Sequence, residues 1–435
     1  MRESCAKNGV AWSSRTHQRR EWGQGMGLSL VHERCAGIDV HKAMLMVFVQ
    51  LPREHYQRSF PTDTASLLAL VDWLQELRVD DVAMESTGSY WKPVYNVLEG
   101  SGLRPIIGNA THMRGMPGRK TDVGDAEWIC GLHRHGLVRP SYIPPRAQRE
   151  MREAVRYRQT LVAERADEAN RIQKVLEGAN IKLGPGVVIS DILGATGQAV
   201  LGALAAGIED PAVLAGLARG SLKNKQEQLT LALRGSMGPH QRRLLGTQLD
   251  HVRYLDRQIQ ALSQQIGECL TAEQRTVLER LDAIPGISTQ TAEVLLSEAG
   301  DMRAFPNARQ FASWAGLVPG DNESGGKRRP ARTRRGNRTL RRAMALSGQA
   351  AGRSTKTYLG AAFRRIAARR GPKRAALAIG RRILTITYHV VKEGSTYQEL
   401  GPNYLDERQR QRATHRAVAR LEALGYKVHI EQVTG

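Results

Sequence analysis

Acidic residues are in short supply. Asp and Glu number 42 against 64 Lys and Arg, a net charge of +22 over 435 residues. That excess is too large for solubility alone and points to a polyanion, with nucleic acid ahead of a merely basic, ribosomal-type surface. It is also clustered: from Lys327 to Arg382 there are 19 Lys or Arg and no acid. Aromatics make up 5% of the chain while hydrophobic residues reach 41%, so the interior is aliphatic. The four cysteines, Cys5, Cys35, Cys130 and Cys269, are scattered and form no C-x-x-C pair. They suggest neither a zinc site nor a disulfide framework, and they fit a reduced cytoplasmic setting. No apolar run reaches the ~18 residues of a membrane span, so no membrane partner is expected. The first 25 residues are polar and lack the apolar stretch of a secretory signal. Residues 1–34 are expected to be a flexible arm, with Met26 as an alternative start.

What is present begins with C-A-G-I-D-V-H-K, Cys35 to Lys42. Ala36, Ile38 and Val40 alternate with other residues, and a second run, Ala43 to Val49, follows at once, so a strand, a tight turn and a partner strand are expected. His55 to Phe60 reads as a third strand. Thr62 or Asp63 then caps a helix carrying Leu67, Leu68, Leu70, Val71, Leu74 and Leu77 at helical spacing. Val79 to Met84 reads as a buried strand ending at Glu85, Ser86 to Gly88 as a turn, Tyr90 to Leu98 as a helix, and Leu103 to Asn109 as another strand. A basic glycine-rich loop, Arg114 to Lys120, precedes a helix over Asp122–His135 with Thr121 as its cap. This alternation predicts an α/β sheet over residues 35–145.

Asp39 stands inside the first strand, where a carboxylate needs water, a cation or a metal. Glu85 ends a later strand, and Asp122 and Asp125 share a face at a helix start. If the two strands are neighbours, four carboxylates converge and call for divalent cations. Oxygen-only ligands suit Mg²⁺ or Mn²⁺, and two such ions ~4 Å apart can hold both oxygens of a phosphodiester displacement. Taken singly, each acid has a bland reading: a helix-dipole partner, a solvated first-turn residue or a turn residue. Their order along the chain is the specific signal.

Residues 146–280 carry two long amphipathic helical patterns around a softer Gly/Ala/Leu segment. They read as an antiparallel spacer or coiled coil, either a plain linker or a dimerisation arm. Residues 281–390 begin with L-D-A-I-P-G-I-S-T, a helix-hairpin-helix pattern whose amides could seat a backbone phosphate, with a plain helical hairpin as the alternative. Ser324 then precedes two glycines in a polar, flexible loop beside Lys327, Arg328 and Arg329. Further on, Arg334, Arg335, Arg338 and Arg341 interleave with helical apolar residues, as on folded helices with a cationic, phosphate-binding face; Lys120 adds a cation in the first domain. A serine held against arginines can attack phosphorus, although such a loop is more often only a loop. Residues 391–435 form an unmatched tail.

The chain resembles the DEDD-type insertion-sequence transposases with a catalytic serine, the bridge-RNA-guided recombinases related to pilin-gene DNA invertases. G-I-D-V-H-K at Gly37 to Lys42, E-S-T-G at Glu85 to Gly88 and K-T-D-x-x-D-A at Lys120 to Ala126 carry the match. It continues with P-G-I at Pro285 to Ile287, G-L-V-P at Gly316 to Pro319, S-G-G-K at Ser324 to Lys327 and R-G-N-x-x-L-R at Arg335 to Arg341. The resemblance implies a RuvC-like, RNase H-type domain followed by an all-α domain. It implies that Asp39, Glu85, Asp122 and Asp125 hold Mg²⁺ and that Ser324 forms a 5′-phosphoserine link. It further implies donor and target double-stranded DNA, a structured noncoding guide RNA, and dimers assembling to a tetramer in the prokaryotic cytoplasm at the nucleoid. The long middle segment and the tail depart from the compact members and fit the larger subgroup.

Three other readings compete. A metal-dependent RNase H-fold nuclease or junction resolvase would use the four acids and water, leaving Ser324 structural. An actin-like kinase also opens on G-I-D-V, but a second glycine-rich phosphate loop and an adenosine pocket are missing. A non-catalytic nucleic-acid-binding protein would bind in a salt-sensitive way without breaking strands.

Overall fold

The apolar alternation at the start folds back on itself. Cys35–Val40 (β1) pairs antiparallel with Met44–Gln50 (β2), which pairs antiparallel with His55–Pro61 (β3). The computed structural model describes residues 29–429 except 86–87, 110–112, 114–121, 185, 321–322, 325, 329–332 and 334–335. Residues 1–28 of the expected arm, Ser86 and Thr87 of the expected turn, the glycine-rich loop through Lys120 and the Thr121 cap lie outside the described residues. The chain divides into two compact units, 1–143 and 144–435.

In the first unit, Thr64–Glu76 (α1) starts at Asp63, whose Oδ1 accepts the Ser66 amide at 3.0 Å. Asp81–Glu85 (β4), Trp91–Gly100 (α2), Arg104–Gly108 (β5) and Asp122–Arg134 (α3) follow. The sheet order is β3-β2-β1-β4-β5, with β4 and β5 parallel to the strands before them in that order. Strand alternation sorts the side chains into two layers. Ala36, Ile38, Val82 and Met84 pack with Leu70, Leu74, Val94 and Leu98 of α1 and α2. Cys35 and Ala83 lie on the opposite face, in clusters with Ala126, Ile129 and Cys130 of α3. The result is a mixed α/β sheet covered on both sides.

Contact with α3 is close. A Cβ at Gly37 would stand 2.3 Å from the Ala126 carbonyl oxygen and 2.4 Å from the Cys130 nitrogen, so only glycine lets the helix lie on β1 here. Cys35 and Cys130, 95 positions apart, bring their Sγ atoms to 3.6 Å as buried free thiols. The scatter of cysteines along the sequence hid this neighbour pair. Its hydrogen bond to Cys35 and its burial push the Cys130 thiol well above its ordinary value, which keeps it inert.

The second unit is helical. Arg146–Gly178 (α4) runs beside Pro239–Glu268 (α8). Arg158 bonds Ser263, Arg165 bonds Asp256 and Glu168 meets His251, so the pair is antiparallel. Between them lie Ala195–Ala205 (α5), Pro211–Gly216 (α6), a 3-10 turn at Gly220–Lys225 and Gln226–Ala232 (α7), which build a satellite core on the far half of α4. The main core gathers around Thr289–Ala299 (α10), in which every residue from Ala292 to Ala299 is buried. Ala272–Asp282 (α9), Ala308–Trp314 (α11), Arg338–Arg353 (α12), Tyr358–Arg370 (α13) and Pro372–Glu393 (α14) complete it, and Tyr404–Glu422 (α15) follows. The turn between α9 and α10 packs tightly: Gly286, at φ +92, would place a Cβ 2.3 Å from the Ser347 carbonyl of α12.

Candidate functional site

In the first unit, β1 and β4 are neighbours and parallel, with Ile38 opposite Met84. Asp39 and Glu85 are the next residues along each strand. Both stand at the C-terminal strand ends, on the face that α3 covers. Cys35 lies against Cys130, and Gly37 against Ala126. Two strand residues advance about 6.6 Å and four helical residues about 6.0 Å, so strand and helix step together in opposite directions. One more step sets Asp39 level with the position of Asp122. Asp125 is half-buried on the same helix, one turn before Ile129. The four acid positions therefore share one face and one end of the sheet.

Asp39 is 8% exposed, and its Oδ2 lies 3.0 Å from His41 Nε2. A carboxylate so buried needs positive charge near it. His41 was present in the opening motif as sequence, but only the turn after β1 shows that it reaches back to Asp39. The donor set is carboxylate oxygen, with no thiolate, and it fits a hard divalent cation.

A group of three donors within 4.8 Å of one another lies instead at the opposite end of β4: His32, Asp81 and His133. Arg104 donates to both Asp81 oxygens at 2.9 Å each and holds that carboxyl below its usual range, with His32 assisting at 3.2 Å. The two imidazoles stack at 4.3 Å. Burial lowers His133 to about 4. With Asp81 already engaged by a guanidinium, this is an ion-paired histidine stack at the foot of the sheet.

In the second unit, Glu323–Ser324 (β6) pairs antiparallel with Lys327–Arg328 (β7), Ser324 opposite Lys327, and Pro319 bridges to Thr333. Gly326, at φ +74, turns the tip. The expected flexible loop is thus a short ribbon with Ser324 beside its tip, because two glycines admit a two-residue hairpin turn. Its root is pinned. A Cβ at Gly336 would meet the Gly316 nitrogen at 2.4 Å, and the Asn337 amide donates to the Trp314 carbonyl at 3.1 Å. The G-L-V-P and R-G-N motifs are therefore the two sides of one junction.

Asn337 also caps α12 through Leu340 and donates from Nδ2 to Glu298 Oε2 at 2.6 Å. Glu298 is fully buried, and Arg156 grips it with two bonds of 2.6 and 2.8 Å. Arg152 Nε stands 3.4 Å from it. A second buried pair joins Arg158 to Glu293. Sequence reasoning missed all of these, because an acid on an apolar helix shows no partner until the fold supplies one.

Of the expected nucleic-acid contacts, Arg338 is exposed and Arg341 half-buried, both in the first turn of α12, and Lys327 and Arg328 form β7. Lys120, Arg329, Arg334 and Arg335 lie outside the described residues. No helix among the described residues is long and apolar enough to cross a membrane.

Residues 36–181 match the DEDD transposase model of the IS110 type, and residues 278–363 match the transposase IS116/IS110/IS902 family. Both models are of IS110-type transposases. The first match contains all four acids, and the second contains Ser324, Gly336 and Asn337. An IS110 insertion-element protein of Streptomyces coelicolor is 34% identical over 33% of this chain and 36% of its own length. A probable family 20 transposase of Pseudomonas aeruginosa is 29% identical over 62% and 70%. The transposase for insertion sequence element IS1111A of Coxiella burnetii is 22% identical over 83% and 90%. The chain thus spans about a third of the Streptomyces relative and most of the other two. Among solved structures, RuvC of T. thermophilus in complex with a Holliday junction substrate aligns over 25% of this chain and 100% of its own, at 13% identity and a TM-score of 0.20.

Proposed function

We propose that this chain is a DNA transposase and recombinase of an insertion sequence, with Ser324 as nucleophile and a divalent-cation site held by Asp39, Glu85, Asp122 and Asp125. The observation that carries the reading is the adjacency of Asp39 and Glu85 on parallel strands, on the face where α3 opens with two more acids. Relatives named as transposases support the substrate class. An antiparallel β3-β2-β1 run continuing into parallel β4 and β5 supports an RNase H-type, RuvC-like first domain. The α9–α10 turn is read as a helix-hairpin-helix seat for a backbone phosphate.

The Ser324 hydroxyl attacks the scissile phosphorus and gives up its proton. A bond to the serine oxygen forms, the bond to the 3′ oxygen breaks, and that oxygen leaves as a 3′-hydroxyl after taking up a proton. The phosphoserine ester keeps the strand activated, so a 3′-hydroxyl from another strand can rejoin it by the reverse displacement. Lys327, Arg328, Arg338 and Arg341 offset the negative charge that builds on the phosphorus oxygens. Bound Mg²⁺ or Mn²⁺ would neutralise phosphate charge and align the reacting oxygens. His41 holds the Asp39 carboxylate in place. A structured noncoding RNA encoded by the element pairs with donor and target duplexes, and dimers join as a tetramer in the prokaryotic cytoplasm.

The test uses the full-length protein with end-labelled donor DNA, its RNA and Mg²⁺. A denaturant-resistant protein–DNA adduct is expected, absent in Ser324→Ala and in Asp39→Asn. Cleavage that persists without an adduct in Ser324→Ala overturns the serine step in favour of a water-attacking nuclease. Sequencing RNA that copurifies with the protein checks guidance; the expected species derives from the element's own flank.

A further inference from the structure

The second unit holds a cavity of about 1240 Å³. Pro319 and Thr333, the bridge at the ribbon that carries Ser324, form part of its wall. Arg341 of α12 and Arg374, Arg381 and Arg382 of α14 supply cations, and no acid is among the described residues that line it. Between the cations the surface is apolar, with Leu377 and Ile386 on α14. Two tyrosines face the cavity from different elements: Tyr358 at the start of α13, and Tyr397 in the segment after α14. Arg382 stands 5.7 Å from the Tyr358 ring centre and donates to its hydroxyl at 3.2 Å, so guanidinium and ring are held together as a cation–π pair, with Tyr404 edge-on to the same ring at 5.5 Å.

We propose that this cavity receives the unpaired bases of a single DNA strand next to the phosphate that Ser324 attacks. The proposal rests on the transposase reading above and extends it to the form of the substrate at the serine. Size argues for a polymer segment, since small-molecule pockets span ~300–1,000 Å³. Charge argues for a polyanion. The tyrosine faces and the apolar floor argue for unstacked bases, because a duplex hides its base faces and offers only phosphates and groove edges. Location argues for DNA over RNA, because the wall is the root of the nucleophile's own ribbon. Residues 395–398 and 400 form part of the lining; Glu399 between them accepts from the Tyr358 amide at 2.7 Å and from the Tyr397 hydroxyl at 2.9 Å, which ties that segment to α13.

The experiment is fluorescence anisotropy with the full-length protein and three probes of one sequence: a single-stranded DNA 12-mer, its blunt duplex and the matching RNA strand. Arg374→Ala/Arg381→Ala is expected to weaken single-stranded DNA binding by about 10-fold or more and to lower its log–log salt slope by about 1.4, two phosphates' worth, with duplex binding nearly unchanged. Tyr397→Leu, a substitution that keeps an apolar group in the strap, is expected to weaken single-stranded binding about 5-fold or more with no change in salt slope, as lost base stacking requires. Thermal melts of both variants should match the parent. Equal loss on duplex and single strand, a larger loss on the RNA, or no loss overturns the proposal. The adduct assay on the unsubstituted protein stands apart: normal adduct there with unaffected strand binding in the variants sinks the cavity alone, whereas no adduct there with selective loss of strand binding in the variants sinks the serine step alone.

Discussion

His133 is the residue whose protonation the fold resists most plainly. Its Nε2 is buried without a partner, and its imidazole is held near 4 against an ordinary value of 6.5. A folded value below the unfolded one means that the unfolded chain takes up the proton first. Stability from this group is complete above about pH 6.5, falls as the pH drops toward 4, and levels off below that, a total of about 3 kcal/mol. Urea melts between pH 4 and 7 should show that slope, and His133→Leu should flatten it. His41 is the other single-residue test. His41→Ala removes the partner of the Asp39 carboxylate and is expected to slow strand cleavage by roughly 10–100-fold, the usual effect of losing a group that orients a metal ligand. The adduct assay under rising Mg²⁺ checks it, with partial rescue by excess cation.

At the scale of elements, two contacts decide where chemistry can sit. Gly37→Ala puts a methyl group into the backbone of α3. Because backbone cannot step aside as a side chain can, a loss of about 1–3 kcal/mol in thermal or urea unfolding is expected, with cleavage falling alongside as α3 moves off β1. In the second unit, the N-terminal half of α4 and the capped start of α12 meet on Glu298 of α10. Glu298→Ala removes the buried anion that Arg156 and Asn337 bond, and a buried pair broken on one side costs about 3–5 kcal/mol. The same change frees the ribbon root at Asn337, so adduct formation should drop even at temperatures where circular dichroism still reports helix. Most elements were legible beforehand: β1 to β5 and α1 to α3 follow period-2 and period-3.6 patterns that each segment carries by itself. The ribbon was not, because two-residue strands have no period to read. The buried acids of α10 were not, because nothing local distinguishes a paired Glu from a solvated one.

For the whole molecule, charge is the controlling quantity. A net +22 with an acid-free run from Lys327 to Arg382 predicts binding to nucleic acid that weakens by ~10³-fold or more between 50 and 200 mM salt, as counterion release requires for six or more phosphates. Filter binding over a salt series checks this; a shallow slope would mean that the basic face is turned away from phosphate. Binding of this kind should survive Asp39→Asn and Ser324→Ala, while strand breakage should not, which separates holding DNA from cutting it.

The amino-acid sequence determined what local rules can carry: strand and helix periods, a helix cap at Thr62 or Asp63, the excess of cations, and the order of four acids and a serine along the chain. Tertiary structure decided what depends on residues far apart meeting. It set Asp39 beside Glu85 through the parallel register of β1 and β4, brought Cys35 to Cys130, joined Gly316 to Gly336, and gave Glu298 its arginines. The physical reason is that backbone periodicity is a short-range property, while pairing, close approach and burial of charge are settled only when distant segments pack.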